Sequence, residues 1–144
     1  MDSKLKMDWT GVVFVPGTGS TCPIDEVKDV TPHDGGSPER WYADAAKYPK
    51  GLRVVNKTTT VKIRSGNIAA LRAVPADTFG TLSFTHNDYL NGSGSGAIVY
   101  TLADCQRIEI DDGGENNKFG EGTVTFEAIS PDGVTSPLTS VVTP

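Results

Sequence analysis

Short runs of stiff, β-branched side chains, each closed off by glycine or proline, dominate this chain of 144 residues. Valine, isoleucine and threonine together number 37. Two heavy substituents on Cβ restrict χ1 and fit a pleated strand better than a helix. The run at 9–15 (Trp-Thr-Gly-Val-Val-Phe-Val) reads as a first strand, stopped by Pro16 and the Gly17-Thr18-Gly19 turn. A weaker extended piece at 24–31 ends at Pro32. The region 51–64 is the best strand stretch, with Val61 and Ile63 directed one way and Lys62 and Arg64 the other. Further strands are expected at 81–85 (Leu82 and Phe84 inward), at 97–102 in a central position, at 107–111 (Ile108 and Ile110 inward) and at 122–129 (Val124, Phe126 and Ala128 on one face), and 138–142 reads as a last strand or an arm. The stretch 91–96, Asn-Gly-Ser-Gly-Ser-Gly, reads as a hairpin tip.

One helix interrupts this pattern. Asn67 is placed to accept from backbone amides as an N-cap, the residues from Ile68 to Val74 carry a one-sided apolar stripe, and Pro75 stops the run after about two turns. A helix so short is unstable alone, so Ile68, Leu71 and Val74 must dock on a sheet. The pattern specifies a mainly β fold: an antiparallel β-sandwich or barrel of about seven or eight strands with one short flanking α-helix. The length suits a single domain over 1–144, with an N-terminal arm at 1–8 and a C-terminal arm at 135–144.

Composition and motifs exclude several function classes. A formal charge of -5 argues against a general nucleic-acid binder, which carries a basic face. No apolar run reaches the roughly 18 residues of a membrane-spanning helix, and residues 1–8 lack the apolar stretch of a secretory signal, which leads us to expect a cytoplasmic start. Cys22 and Cys105 sit in no Cys-x-x-Cys pair, so they read as two unpaired, half-buried thiols, or as a disulfide only if their strands meet. The segment Asp111-Asp112-Gly113-Gly114-Glu115-Asn116-Asn117 is the most metal-like but lacks the ligand order of a calcium loop, and a solvated turn explains it. No nucleophile elbow accompanies His33 or His86. We expect no enzyme, no cofactor and no metal.

What remains is distribution. From His33 to Pro49 the chain turns rich in proline and glycine and reads as a long connection; it holds Trp41, Tyr42 and Tyr48, which no strand periodicity buries. Loops this long are usually functional or ordered by a partner. Aromatics there either fill the domain's own core or anchor a neighbouring subunit. Together with the polar ends, they favour an assembly protein, with Trp41, Tyr42, Tyr48 and Leu138 as candidate interface residues.

From about Ala43 onward the chain resembles the tail tube (major tail) proteins of long-tailed bacteriophages and related tail-like particles. The resemblance rests on four pieces in order: Ala43-Asp44-Ala45-Ala46-Lys47-Tyr48-Pro49; Leu71-Arg72-Ala73-Val74-Pro75-Ala76-Asp77-Thr78-Phe79-Gly80-Thr81-Leu82-Ser83-Phe84; Ala97-Ile98-Val99-Tyr100-Thr101-Leu102; and the stretch from Gly120 to Ala128 with Asp132-Gly133-Val134-Thr135-Ser136-Pro137-Leu138. It implies hexameric rings stacked into a hollow tube, with the chain itself and other tail components as partners. DNA passes through without specific binding, and no membrane is involved. The implied location is a virion tail or tail-like particle assembled in the host cytoplasm. A DNA conduit should repel phosphate, and Glu109 and Asp111 share the polar face of their expected strand as candidates for such a lining. The strands at 51–64 and 122–129 are the expected wall elements. The competing reading is a surface or secreted β-sandwich binding module with Trp41 and Tyr42 as a carbohydrate-stacking platform.

Overall fold

The computed structural model describes residues 7–88, 97–114, 116 and 120–143. Residues 1–6 of the expected N-terminal arm and the 91–96 hairpin tip lie outside the described residues. In chain order the elements are β1 (Met7–Pro16), β2 (Cys22–Pro23), β3 (Val27–Trp41), β4 (Gly51–Ser65), α1 (Ile68–Ala73), β5 (Gly80–Asp88), β6 (Ala97–Gly113), β7 (Glu121–Ala128) and β8 (Leu138–Thr143). The fold is mainly β, as expected: among the described residues there is one antiparallel sheet of eight strands and a single short helix, with the sheet left open rather than closed into a barrel.

The strand order is β2-β1-β5-β6-β7-β4-β3, with β8 also paired to β6. The long strand β6 explains this branching. Its first half pairs β5 and β8 at residues 97–102, and its second half pairs β7 from Cys105 to Gly113. Asp104, at φ 50, sits where one half hands over to the other. The sheet therefore has two four-strand halves, β1-β5-β6-β8 and β6-β7-β4-β3. They turn their apolar faces toward each other, because Phe14 of β1 and Phe126 of β7 stand 5.1 Å apart although two strands separate them in the sheet. One buried cluster takes Val12 and Phe14, Leu82 and Phe84, and Leu102 from the first half, with Val30, Val61, Ile63, Val124 and Phe126 from the second.

Helix α1 forms as its sequence dictates. Asn67 Oδ1 accepts from the Ala70 amide at 3.1 Å, Val74 leaves the helix in extended conformation ahead of Pro75, and Leu71 and Val74 are buried. Gly122 makes that docking possible, since a Cβ there would lie 2.9 Å from Leu71 Cδ1.

Three expectations are corrected. The extended piece ending at Pro32 continues through Pro32 and Pro38 to Trp41, so the supposed loop at 33–41 is strand β3 paired along β4. It is the outermost strand, the position where a missing N–H disturbs no second ladder. Ile108 is 51% exposed rather than inward, because a bulge between Arg107 and Glu109 breaks the alternation; Ile110 still packs on the core. The expected C-terminal arm at 135–144 is corrected over 138–143, where the alternative reading of a last strand holds: this is β8, joined to β6.

Candidate assembly interface

Among the described residues, only 59–65 of β4 pair with β7; 51–55 and Thr58 pair with β3 alone. The outer half of this hairpin is thus a two-stranded ribbon. It leaves the body at a bulge, where Gly36 interrupts the register opposite Asn56 at φ 54. Pairing places Leu52 and Val54 on one ribbon face with Arg40 and Pro38, while Trp41 lies on the other with Glu39 and Arg53. Trp41 ends β3 and is 63% exposed; Tyr42 and Tyr48 follow in the connection and are exposed, Tyr48 at 81%. None of the three joins the core cluster. Leu52 and Val54 are exposed as well and were not among the expected interface residues. Their alternation within 51–55 reads as burial, and only the absence of a third strand here leaves them bare.

Leu138 is placed differently. Register carries one row across four strands, Phe14, Leu82, Leu102 and Leu138, and Leu138 packs half-buried against the core as its last member. The structure therefore separates Leu138 from the three ribbon aromatics. Beside this row, Trp9 stacks on His86 with centroids 4.6 Å apart and meets Phe84 and Tyr100. His86 Nε2 is buried and finds no hydrogen-bond partner among the described residues.

Both ends of the first half-sheet carry bare edges. The outer edge of β1 is covered by β2 only at Val13 and Phe14, with the Ile24 amide bonded to Val12 O, so among the described residues 7–11 pair with nothing on that side. Among the described residues, strand β8 pairs with β6 alone. The segment 138–143 contains no charge, proline or glycine, and Val141 and Val142 are both mainly exposed. Edge strand β3, in contrast, is blunted by Pro32, Pro38 and charged residues.

Glu109 and Asp111 are exposed on the core-averted face of the second half-sheet. Register lines up Thr31, Lys62, Thr125 and Glu109 in one row and Asp29, Arg64, Thr123 and Asp111 in the next. Arg64 bridges Asp29 at 2.7 Å and Glu121 at 3.5 Å. The two acids thus share their face with cations. The averted face of the first half-sheet carries uncharged rows, Val13-Ser83-Thr101-Thr139 and Thr10-Thr85-Val99-Val141.

Before β8, the 130–137 loop is held by one carboxylate. Asp132 accepts from the amides of Val134 and Thr135 at 2.8 Å, from Thr135 Oγ1 at 2.6 Å and from Ser130 Oγ at 2.8 Å. These donors, the Thr135 hydroxyl first, hold the carboxyl well below the usual carboxylate range. Ser136 Oγ donates to Asp34 at 2.8 Å and Thr59 Oγ1 to the same carboxylate at 3.1 Å, tying the loop to the ribbon's base across a groove of about 610 Å³.

Cys22 and Cys105 are buried and free; burial pushes the Cys105 thiol up to about 12. Asp112 holds Arg72 at 2.6 Å, anchoring α1 to β6. Among the described residues no group of three metal-ligating side chains converges, and no helix is long and apolar enough to cross a membrane.

No protein-family description matches the chain, and no curated protein matches it. Solved structures do. A chain of the sheath/tube terminator of an extracellular contractile injection system (PVC, extended state) aligns with TM-score 0.52 and 8% identity, over 97% of this chain and 94% of that one. A chain of the PVC sheath-tube complex aligns with TM-score 0.50 and 9% identity, over 92% and 87%. A chain of the anti-feeding prophage (AFP) baseplate aligns with TM-score 0.50 and 10% identity, over 90% and 90%. At such identities the likeness is one of fold.

Proposed function

We propose that this protein is a structural, non-catalytic subunit that closes into rings, expected to be hexameric, and stacks them into the hollow tube of a virion tail or tail-like particle. Its partners in this reading are copies of itself, other tail components, and the DNA or effector that passes through. The particle is assembled in the host cytoplasm. The observation that carries the reading is the pair of bare edges on the first half-sheet. Its four strands alternate in direction, so β1 and β8 run antiparallel to each other. A head-to-tail copy related by rotation presents its β1 edge to β8 in antiparallel sense, and the same operation repeats until the ring closes. The exposed aromatic ribbon supplies a second contact surface, and the shared fold with components of contractile injection systems is consistent with it. Glu109 and Asp111 are proposed to line the bore through the charged half-sheet.

Particle mass and negative-stain imaging of the purified chain test the proposal. Rings or tubes are expected. A monomer at all concentrations overturns it, and glycan binding by that monomer, lost on Trp41→Ala, establishes the binding-module reading instead. In assembled particles, neutralising Glu109 and Asp111 together is expected to increase DNA retention; unchanged passage assigns the bore to the hydroxyl-rich face.

A further inference from the structure

Strand pairing between copies cannot run the full height of the seam. β2 already covers β1 at Val13 and Phe14, and register sets Leu138 of β8 at the height of Phe14. The residues that precede Leu138 therefore extend past the same end of the half-sheet at which β1 runs out through Pro16 into the turn leading to Cys22. In a ring closed head-to-tail, the 130–137 loop of one copy faces that turn of the next.

The two surfaces differ in kind. Val134 is 87% exposed, the most exposed of the large apolar side chains among the described residues, yet its loop is fixed by the four hydrogen bonds to Asp132 and turns at Gly133, whose φ of 72 is reached most readily without a Cβ. An apolar side chain on a pre-ordered loop loses little conformational freedom when it docks. At the other end lies a recess of about 380 Å³ lined by Pro16, Thr18, Cys22, Pro23, Ala73 and Pro75, with no charged side chain in its wall. We propose that Val134 of one copy seats in this recess of its neighbour, so that the Asp132 loop acts as the knob that sets ring register where backbone pairing stops. The inference rests on the ring reading and names the contact within it. Its occupant is a second copy of this chain.

The test combines two measurements on the full chain. Val134→Asp is expected to leave the monomer's thermal unfolding unchanged, because the side chain is 87% exposed, and to raise the concentration needed for rings about tenfold or more. Separately, in a Cys22→Ser background that removes the native thiol from the recess, Val134→Cys and Thr18→Cys chains are mixed and oxidised; a covalent heterodimer is expected from the mixture and none from either variant alone. If the wild type forms rings, Val134→Asp forms them at the same concentration and no cross-link appears, the docking is overturned while the ring reading stands. If the wild type forms no rings, both fall together.

Discussion

The two halves of the β3–β4 hairpin are made of the same strands yet behave as different materials. In the half against β7, alternation buries Val30, Val61 and Ile63 and exposes Lys62 and Arg64. In the outer half the same alternation continues through Leu52 and Val54, but both remain exposed. The difference is the third strand. A two-stranded ribbon is marginal in water, and Leu52, 65% exposed, gains little from the body that carries it. The inner half is packed for stability, whereas the outer half leaves apolar surface exposed.

The largest expected contrast is between truncations in the two halves. Ile63→Ala removes a fully buried side chain and should cost about 2–5 kcal/mol in urea unfolding. Leu52→Ala should stay within about 0.5 kcal/mol, yet weaken assembly. A Leu52→Ala loss equal to that of Ile63→Ala would show that the outer half packs on its own body.

Next in size is the joint. A Cβ at Gly36 would lie 2.5 Å from Val55 O and 2.9 Å from Lys57 Cα, and both are backbone atoms. Gly36→Ala should therefore cost about 1–3 kcal/mol, felt mainly beyond the bulge. Amide hydrogen exchange is expected to quicken at residues 37–41 and 51–55 while Val61 and Ile63 keep their protection. Spread of the effect into β7 would merge the two halves into one cooperative unit.

How much of this was legible follows the same division. Where a second face exists to bury it, alternation located inward residues correctly: Val61, Ile63, Leu82, Phe84, Val124 and Phe126 are all fully buried. The helix was readable because its punctuation is local, in Asn67 and Pro75. The β4 side of the outer hairpin was readable as strand, but the β3 side was not, because Pro32, Gly35, Gly36 and Pro38 are turn residues whose tolerance depends on β3 being an edge, a fact of tertiary context. The bulge at Ile108 was invisible for a similar reason: two residues facing one across a ladder leave no mark on a single strand's pattern. For the interface, Trp41, Tyr42 and Tyr48 stood out as aromatics without a period. Leu138 looked like part of an arm, because the row it completes is assembled from β1, β5 and β6.

A smaller effect separates the ribbon from the loop that ties it down. The Asp132 carboxylate is held ionised below its free range, so the order it confers on residues 130–137 is present above the ordinary pKa of 3.8 and is lost as pH falls through the lower folded value. As pH is lowered from 3.8 toward the folded value, the Val134 and Thr135 amides should lose protection before those of β7. Thr135→Val removes the foremost of the stabilising donors and should shift that loss to higher pH. Amides that hold to the lowest pH in both proteins would show that the loop's order comes from elsewhere.

The smallest expected effect belongs to the ribbon's own ion pair. Arg53 meets Glu39 at 2.7 Å across the two strands, with both side chains mostly in water. An exposed pair must offset the entropy of holding two long side chains, and salt screens it further. Arg53→Ala should change unfolding by no more than about 0.5 kcal/mol, with the difference fading as salt rises. A salt-independent loss of more than about 1 kcal/mol would mean that the pair is shielded in solution, and a self-assembling chain offers one way to shield it: burial of the ribbon against another copy. Repeating the measurement across protein concentration tells these apart, because a pair covered by a neighbour loses its extra contribution on dilution and a pair covered by its own body does not.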